Sequence, residues 1–246
     1  MFFNESMGNY HMVTETERIE QQLQDCSGVV PVLSLEEHVL LPQAMQLLRI
    51  SDPQDCLLVK DALAANSLIA VDVKQICQQS GEVHSPGNEI RSVCLASIVS
   101  PCQLESGHYS VMVRGVSRAR SVNLLKSDLP YQTALVELKP DYYPAEPVIH
   151  REHRQLELIE HYTQLFMGRV ANPVYYHHLH RDIEFGKLCD ILANSMTLEP
   201  PLVQLILSEQ DVDQRSDLLL SFLKSIQRQQ RRDPAAAFVS NDFSLN

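Results

Sequence analysis

The sequence predicts an α+β fold, with a β-rich part first and a helical part second. Three observations carry this. From about Val29 to Leu138 the apolar residues fall in short runs and alternations of strand type. Asp141 to Pro147 (DYYPAEP) then interrupts the pattern with two prolines. Beyond it the apolar period changes from two to 3.6, as in Leu156, Ile159, Tyr162, Thr163 and Phe166, which share one helix face. The boundaries read from this are a tail at 1–28, a β lobe at 29–140, a linker at 141–147, a helical lobe at 148–230 and a disordered tail at 231–246.

The elements follow in order. Within the first tail, Ile19 and Leu23 are four apart, so a short helix from about Thr14 to Cys26 with Thr16 as its cap is expected to dock rather than stand alone. Val30, Val32 and Leu33 lead into Leu35 as a strand, and Glu36-Glu37-His38 breaks it. A second apolar run, Val39-Leu40-Leu41, meets Pro42, which has no N–H to donate and suits an edge or a bend. Met45, Leu47, Leu48 and Ile50 continue as a strand. Ser51 or Asp52 caps the next helix, with Pro53 at its first position, where a missing N–H costs nothing.

Ser67 to Val73 is almost continuously apolar, which suits a strand buried on both faces. Gln78 to Asn88 reads as a polar loop, Glu89 to Pro101 as a strand, and Gly107 as a turn. Tyr109 to Val113 alternates like a half-buried strand, and Gly115 within it marks a bulge or a close backbone approach. Tyr131 to Leu138 is a further strand. In the helical part, a helix from about Val148 to Met167 ends before Asn172-Pro173, and one from about Arg181 to Met196 buries Phe185, Leu188, Cys189 and Leu192. Pro200-Pro201 opens a short helix. Asp211 or Asp213 caps the last, with Leu219, Phe222, Leu223 and Ile226 inward and Arg228, Arg231 and Arg232 against its C-terminal dipole.

Composition narrows the function. A formal net charge of −11 disfavours non-specific binding to nucleic acid or an anionic membrane. No apolar run reaches the roughly 18 residues of a membrane span. The opening MFFNESMGNYHMV lacks the features of a signal peptide, so a cytoplasmic location is expected. Six cysteines without a C-x-x-C pair read as buried free thiols, and neither Cys56 nor Cys77 sits in a catalytic arrangement.

Two histidine groups invite a metal. His150, His153, Glu157 and His161 fall opposite Leu156, Ile159 and Phe166 on a helical wheel, which makes them a solvated polar face. His177, His178 and His180 lie between helices beside two tyrosines and suit an inter-lobe contact, the alternative being a metal-dependent enzyme. Arg114, Arg118 and Arg120 form a small basic cluster on one hairpin. They read as solvated edge charges, the alternative being an RNA-binding patch.

Four phrases carry a resemblance. They are Pro31-Val32-Leu33-Ser34-Leu35, Val39-Leu40-Leu41-Pro42-Gln43, Val113 to Val122 with its Gly115-Val116-Ser117-Arg118, and Pro130-Tyr131-Gln132-Thr133-Ala134-Leu135-Val136-Glu137. Together with Leu47-Leu48-Arg49-Ile50 they resemble the N-terminal, substrate-binding domain of Lon proteases from about Val30 to Gln230. Gln43 stands where that family usually has Gly, Leu41 where it has Phe, and Leu47 where it has Pro. The resemblance implies a PUA-like open β-barrel wrapped on one helix, then a C-terminal α-helical bundle. It further implies a free-standing, non-catalytic module, since neither a G-x-x-x-x-G-K-[ST] loop nor a Ser–Lys protease segment is present in these residues. Its partners would be unfolded polypeptide or another protein, including full-length Lon, with no cofactor, nucleic acid or membrane. The contacts expected in a groove between the lobes are Leu40, Leu41, Pro42, Met45, Tyr142 and Tyr143.

Overall fold

Among the described residues six strands form one mixed sheet: β1 (Val29–Leu35), β2 (Met45–Ile50), β3 (Leu68–Val73), β4 (Arg91–Gln103), β5 (Tyr109–Leu125) and β6 (Thr133–Leu138). Six helices accompany them among the described residues: α1 (Glu15–Gln24), α2 (Pro53–Ala64), α3 (Arg151–Phe166), α4 (Phe185–Ser195), α5 (Pro200–Ser208) and α6 (Val212–Arg232). The structure, a computed structural model, describes residues 14–36, 38–73, 91–125, 127–147, 149–166 and 183–232. The polar loop at 78–88, the Asn172-Pro173 break, the His177, His178 and His180 group and the residues after 232 lie outside these.

The sheet order is β2-β5-β4-β3-β1-β6, and β6 also pairs with the C-terminal half of β5. Only the β1–β3 pairing is parallel; the other pairings are antiparallel. The central strands are buried on both faces, as their continuous apolar runs require. Ile69 and Val71 of β3 join one hydrophobic cluster, and Leu68 and Ala70 join a second. The first cluster runs without a break from Leu33, Leu40 and Leu41 to Leu158, Leu188 and Leu219, so sheet and helices share a core. Leu40 and Leu41, expected to line a groove between the lobes, are part of that core. A depression of about 340 Å³ lies elsewhere, lined mainly by Arg18, Gln21, Gln22 and Asp25 and by residues 65–67.

Local chemistry explains the helix ends. Asp52 caps α2 by accepting from the Gln54 N–H at 2.8 Å, with Pro53 at the first helical position. Thr14, not Thr16, caps α1. Glu17 stands three residues after Thr14 and returns its carboxylate to the Thr14 N–H at 2.7 Å, which completes a capping box. The helix is docked, with Gln22 buried and accepting from the Ser97 hydroxyl at 2.9 Å. Asp211 caps α6, accepting from the Asp213 N–H at 2.8 Å.

The segment at 141–147 is pinned rather than loose. Tyr142 donates its N–H to the Gln210 carbonyl at 2.9 Å and accepts from the Val212 N–H at 3.1 Å. Helix α3 keeps Ile159 and Tyr162 inward as expected and differs at Leu156. Leu158, Ile159 and Tyr162 are buried while Leu156 is exposed. The reason is polar: the Lys224 ammonium donates to Glu157 at 2.8 Å, and His161 Nδ1 meets Gln227 Oε1 at 2.9 Å. Of the face assigned to solvent, Glu157 and His161 therefore lie against α6, while His150 and His153 are exposed as expected.

The Lys224 hydrogen bond, ahead of the neighbouring charges, holds the Glu157 carboxyl below its ordinary 4.5. A carboxyl lowered in the folded state contributes stability that is present above 4.5 and lost as pH falls through its folded value. Lys224→Met should therefore cost less than about 1 kcal/mol near neutrality, the pair being partly exposed. Urea midpoints of the two proteins should converge on acidification.

The connection into β2 is a β-bulge. The Gln43 N–H donates to the Gly115 carbonyl at 2.9 Å, and the Gly115 N–H donates to the Ala44 carbonyl at 2.9 Å. Gln43 has φ +67°, the left-handed conformation that the first residue of such a bulge needs and that glycine adopts freely. Gln43→Gly should raise stability by about 0.5–1 kcal/mol, the left-handed penalty less the extra chain entropy of glycine. A higher urea midpoint at unchanged slope would register it.

Candidate functional site

The six residues expected to form one contact surface separate in the structure. Leu40 and Leu41 belong to the core, and Pro42 is buried beside them, its carbonyl accepting from Asn194 Nδ2 at 3.2 Å. They cannot touch a partner without opening the core. Met45 is 59% exposed and Tyr142 57%. Tyr143 is 39% exposed; its hydroxyl accepts from the Gly186 N–H at 3.1 Å, and the Arg151 guanidinium lies 5.3 Å from its ring centre. Gly186 and Asn194 lie at opposite ends of α4, about 12 Å apart at 1.5 Å per residue. Tyr143 and Pro42 are therefore held at different ends of that helix.

Leu47 belongs with Met45 and was missing from the set. Met45, Leu47 and Arg49 alternate on one face of β2 and are exposed, while Leu48 and Ile50 point into the core from the other face. Leu47 is 56% exposed. β2 stands at the end of the sheet order and pairs with β5 alone among the described strands. An apolar pair thus sits on an open edge, where soluble proteins usually place charge, proline or a cover.

The basic cluster resolves differently from its expectation. Arg118 is buried and ion-paired rather than a solvated edge charge or a patch for RNA. Its Nη1 donates to Asp190 Oδ2 at 2.8 Å, its Nη2 donates to Asp190 Oδ1, and Nη1 lies 3.2 Å from Asp141 Oδ1. Arg215, fully buried, completes the group, with Nη1 2.9 Å from Asp141 Oδ1 and Nη2 2.7 Å from Asp141 Oδ2. Two cations and two anions thereby join β5, the 141–147 segment, α4 and α6. Burial pulls the Asp190 carboxyl upward, and Arg118 and then Arg215 oppose that shift. The sequence did carry a signal: Asp190 sits in Leu188-Cys189-Asp190-Ile191-Leu192, and a carboxylate inside an apolar helix face requires a buried cation. Arg120 is exposed, and Arg114 is half-buried.

Among the described residues the two buried cysteines, Cys94 and Cys189, are not activated thiols. Burial pushes the Cys189 thiol up to about 12, and burial raises Cys94 further. Both stay protonated at neutral pH and are poor nucleophiles. Cys102 is exposed, and Cys26 and Cys56 are partly so, which differs from the uniformly buried thiols expected. Among the described residues no group of three or more His, Cys, Asp or Glu could hold a metal ion. No described helix is long and apolar enough to cross a membrane.

The class defined by this geometry is an α+β domain whose sheet is backed by helices and, among the described residues, keeps one apolar edge open. Comparison with known proteins gives the family. Residues 29–225 match the family of the ATP-dependent protease La (LON) substrate-binding domain, and the chain belongs to it. The Lon protease of Roseiflexus castenholzii is 27% identical over 201 residues, covering 81% of this chain and 24% of that protein. The Lon protease of Dictyoglomus thermophilum is 27% identical over 217 residues, covering 84% and 26%. The chain thus spans about a quarter of the length of these relatives. In fold it is similar to the N-terminal domain of a Mycobacterium avium complex Lon protease, with a TM-score of 0.62 at 18% identity over 80% of this chain and 98% of that one. A Lon N-terminal domain protein from Xanthomonas campestris gives a TM-score of 0.56 at 19% identity over 78% and 97%.

Proposed function

We propose that this chain is a non-catalytic recognition domain that holds polypeptide segments, or a protein partner, in the service of proteolysis. The observation that carries the reading is the family match over residues 29–225 together with the solvent-facing Met45 and Leu47 on the sheet edge. Apolar side chains beside available main-chain groups are what recognition of an unfolded segment requires. Tyr142 and Tyr143 are a second, separate contact region of the same kind. Leu40, Leu41 and Pro42 support the edge from beneath.

The sheet is read here as an open barrel of PUA-like type. Its support is that β6 pairs with both β1 and β5, so that residues of five strands, Val32, Ala70, Leu95, Ala119 and Ala134 among them, face one another in the second cluster. Helices α3 to α6 are read as the C-terminal bundle. The net charge of −11 and the buried Arg118 speak against nucleic acid and anionic membrane as ligands. A cytoplasmic location fits the described cysteines, all of them free thiols. A full-length Lon is a candidate partner because the relatives that match are Lon proteases.

The test is fluorescence anisotropy of a labelled, permanently unfolded polypeptide titrated with the protein without ATP. Saturable binding is expected. Met45→Glu/Leu47→Glu should weaken it at least ten-fold, about 1.4 kcal/mol, while circular dichroism stays unchanged. Absence of binding by the wild-type chain at high concentration would refute polypeptide holding and point to a dedicated folded partner, to be found by cross-linking in cell extract.

A further inference from the structure

Strand β2 has a second property besides its exposed side chains: the direction of its main chain. In an antiparallel pair, residues alternate between those bonded to the neighbour and those whose N–H and C=O point away. The Gly115 N–H donates to the Ala44 carbonyl at 2.9 Å, which fixes the phase of that alternation. Met45, Leu47 and Arg49, opposite Arg114, Met112 and Ser110, then fall on the non-bonded positions. Their N–H and C=O groups face the open edge, and the same three residues carry exposed side chains. The free edge therefore offers a complete strand of donors and acceptors with two apolar residues and one cation on its outer face.

We propose that the outer edge of β2 is a strand-addition site, at which an extended polypeptide segment pairs with the main chain of Met45, Leu47 and Arg49. The segment recognised carries apolar residues at alternate positions against Met45 and Leu47 and a carboxylate against Arg49, which makes no ion pair among the described residues. A second copy of this chain fits less well. An antiparallel β2–β2 pairing centred on Leu47 sets Met45 opposite Arg49, leaving the cation without an anion, and each copy bears a net charge of −11. The bulge at Gln43 and Gly115 supports the site by ending the pairing at Ala44 and fixing the register of the edge. The inference deepens the proposed function and rests on it.

The probe is a fluorescein-labelled peptide of about six residues with alternating Val and one Asp, the length of a common strand. Two further peptides carry N-methyl groups on alternate residues, one set in each register. An added strand bonds through every second N–H, so one methylated peptide should lose at least ten-fold in affinity and the other should bind nearly as well as the parent. Leu47→Pro should lose at least ten-fold too. Proline is tolerated where the edge N–H faces solvent but cannot donate to an added strand. Arg49→Glu gives an independent variant and should weaken the Asp-containing peptide several-fold while improving a Lys-containing one.

Equal binding of both methylated peptides overturns strand addition. So does failure of all the peptides while the unfolded polypeptide still binds, and the proposed function then stands without this site. Failure of the polypeptide as well removes both this site and the holding of unfolded segments. Wild-type dimerisation in sedimentation equilibrium that Leu47→Pro abolishes would assign the edge to a second copy and overturn the proposal.

Discussion

Asp190→Ala should destabilise the folded chain by about 3–5 kcal/mol, the cost of removing one partner from a buried ion pair. The loss comes less from the hydrogen bonds removed than from what remains. Arg118 is 4% exposed and Arg215 is fully buried, so both guanidinium groups would share Asp141 alone in an apolar surrounding. The four groups join β5, the 141–147 segment, α4 and α6, so the damage should appear as loss of cooperative unfolding between sheet and helices. Asp190→Asn keeps the shape and removes the charge, and should lie between alanine and wild type. A urea midpoint for Asp190→Ala within experimental error of wild type would show that the network contributes nothing to stability.

Gly115→Ala should cost about 3 kcal/mol or more, at the upper end of overpacking penalties. A Cβ at this position would lie 2.1 Å from the Leu41 carbonyl oxygen and 2.9 Å from its carbon. Both are backbone atoms of the turn into β2, so neither can rotate away as a side-chain tip would. The β5 backbone must move from the bulge, and the two hydrogen bonds linking Gly115 to Gln43 and Ala44 weaken with it. Gly107→Ala is the control. Nothing lies within 4 Å of its Cβ position, so only the strain of φ +83° applies, about 1 kcal/mol. If the two alanine variants had the same midpoint, the close approach at Gly115 would be immaterial.

What the sequence disclosed was local. The Asp52-Pro53 start of α2, the Gly115 approach and the two-face burial of β3 each depend on chemistry within a few residues or on an unbroken apolar run. The inward faces of α4 were legible for the same reason, since Phe185, Leu188, Cys189 and Leu192 repeat at helical spacing and all are buried. What stayed hidden was decided by distant partners. Arg118 meets Asp190 across 72 positions, and nothing on its own strand distinguishes it from an edge charge. On α3 the apolar spacing places Ile159 and Tyr162 inward but does not show that Glu157 and His161 pack on α6 through polar partners more than sixty positions away. For the candidate surface, Met45 and Leu40 look alike in the sequence. Their fates differ because β2 terminates the sheet while the turn before it is pressed under β5, which is a property of topology.

The most direct test is backbone amide hydrogen exchange, with and without a saturating unfolded polypeptide. In the free protein the amides of Met45, Leu47 and Arg49 should exchange faster than those of Gln46 and Leu48, which face β5. With the polypeptide bound, the three outward amides should slow by at least about ten-fold, equivalent to about 1.4 kcal/mol of protection, and the inward ones should change little. Protection confined to other elements, with β2 unaltered at saturation, would contradict a recognition edge on this strand.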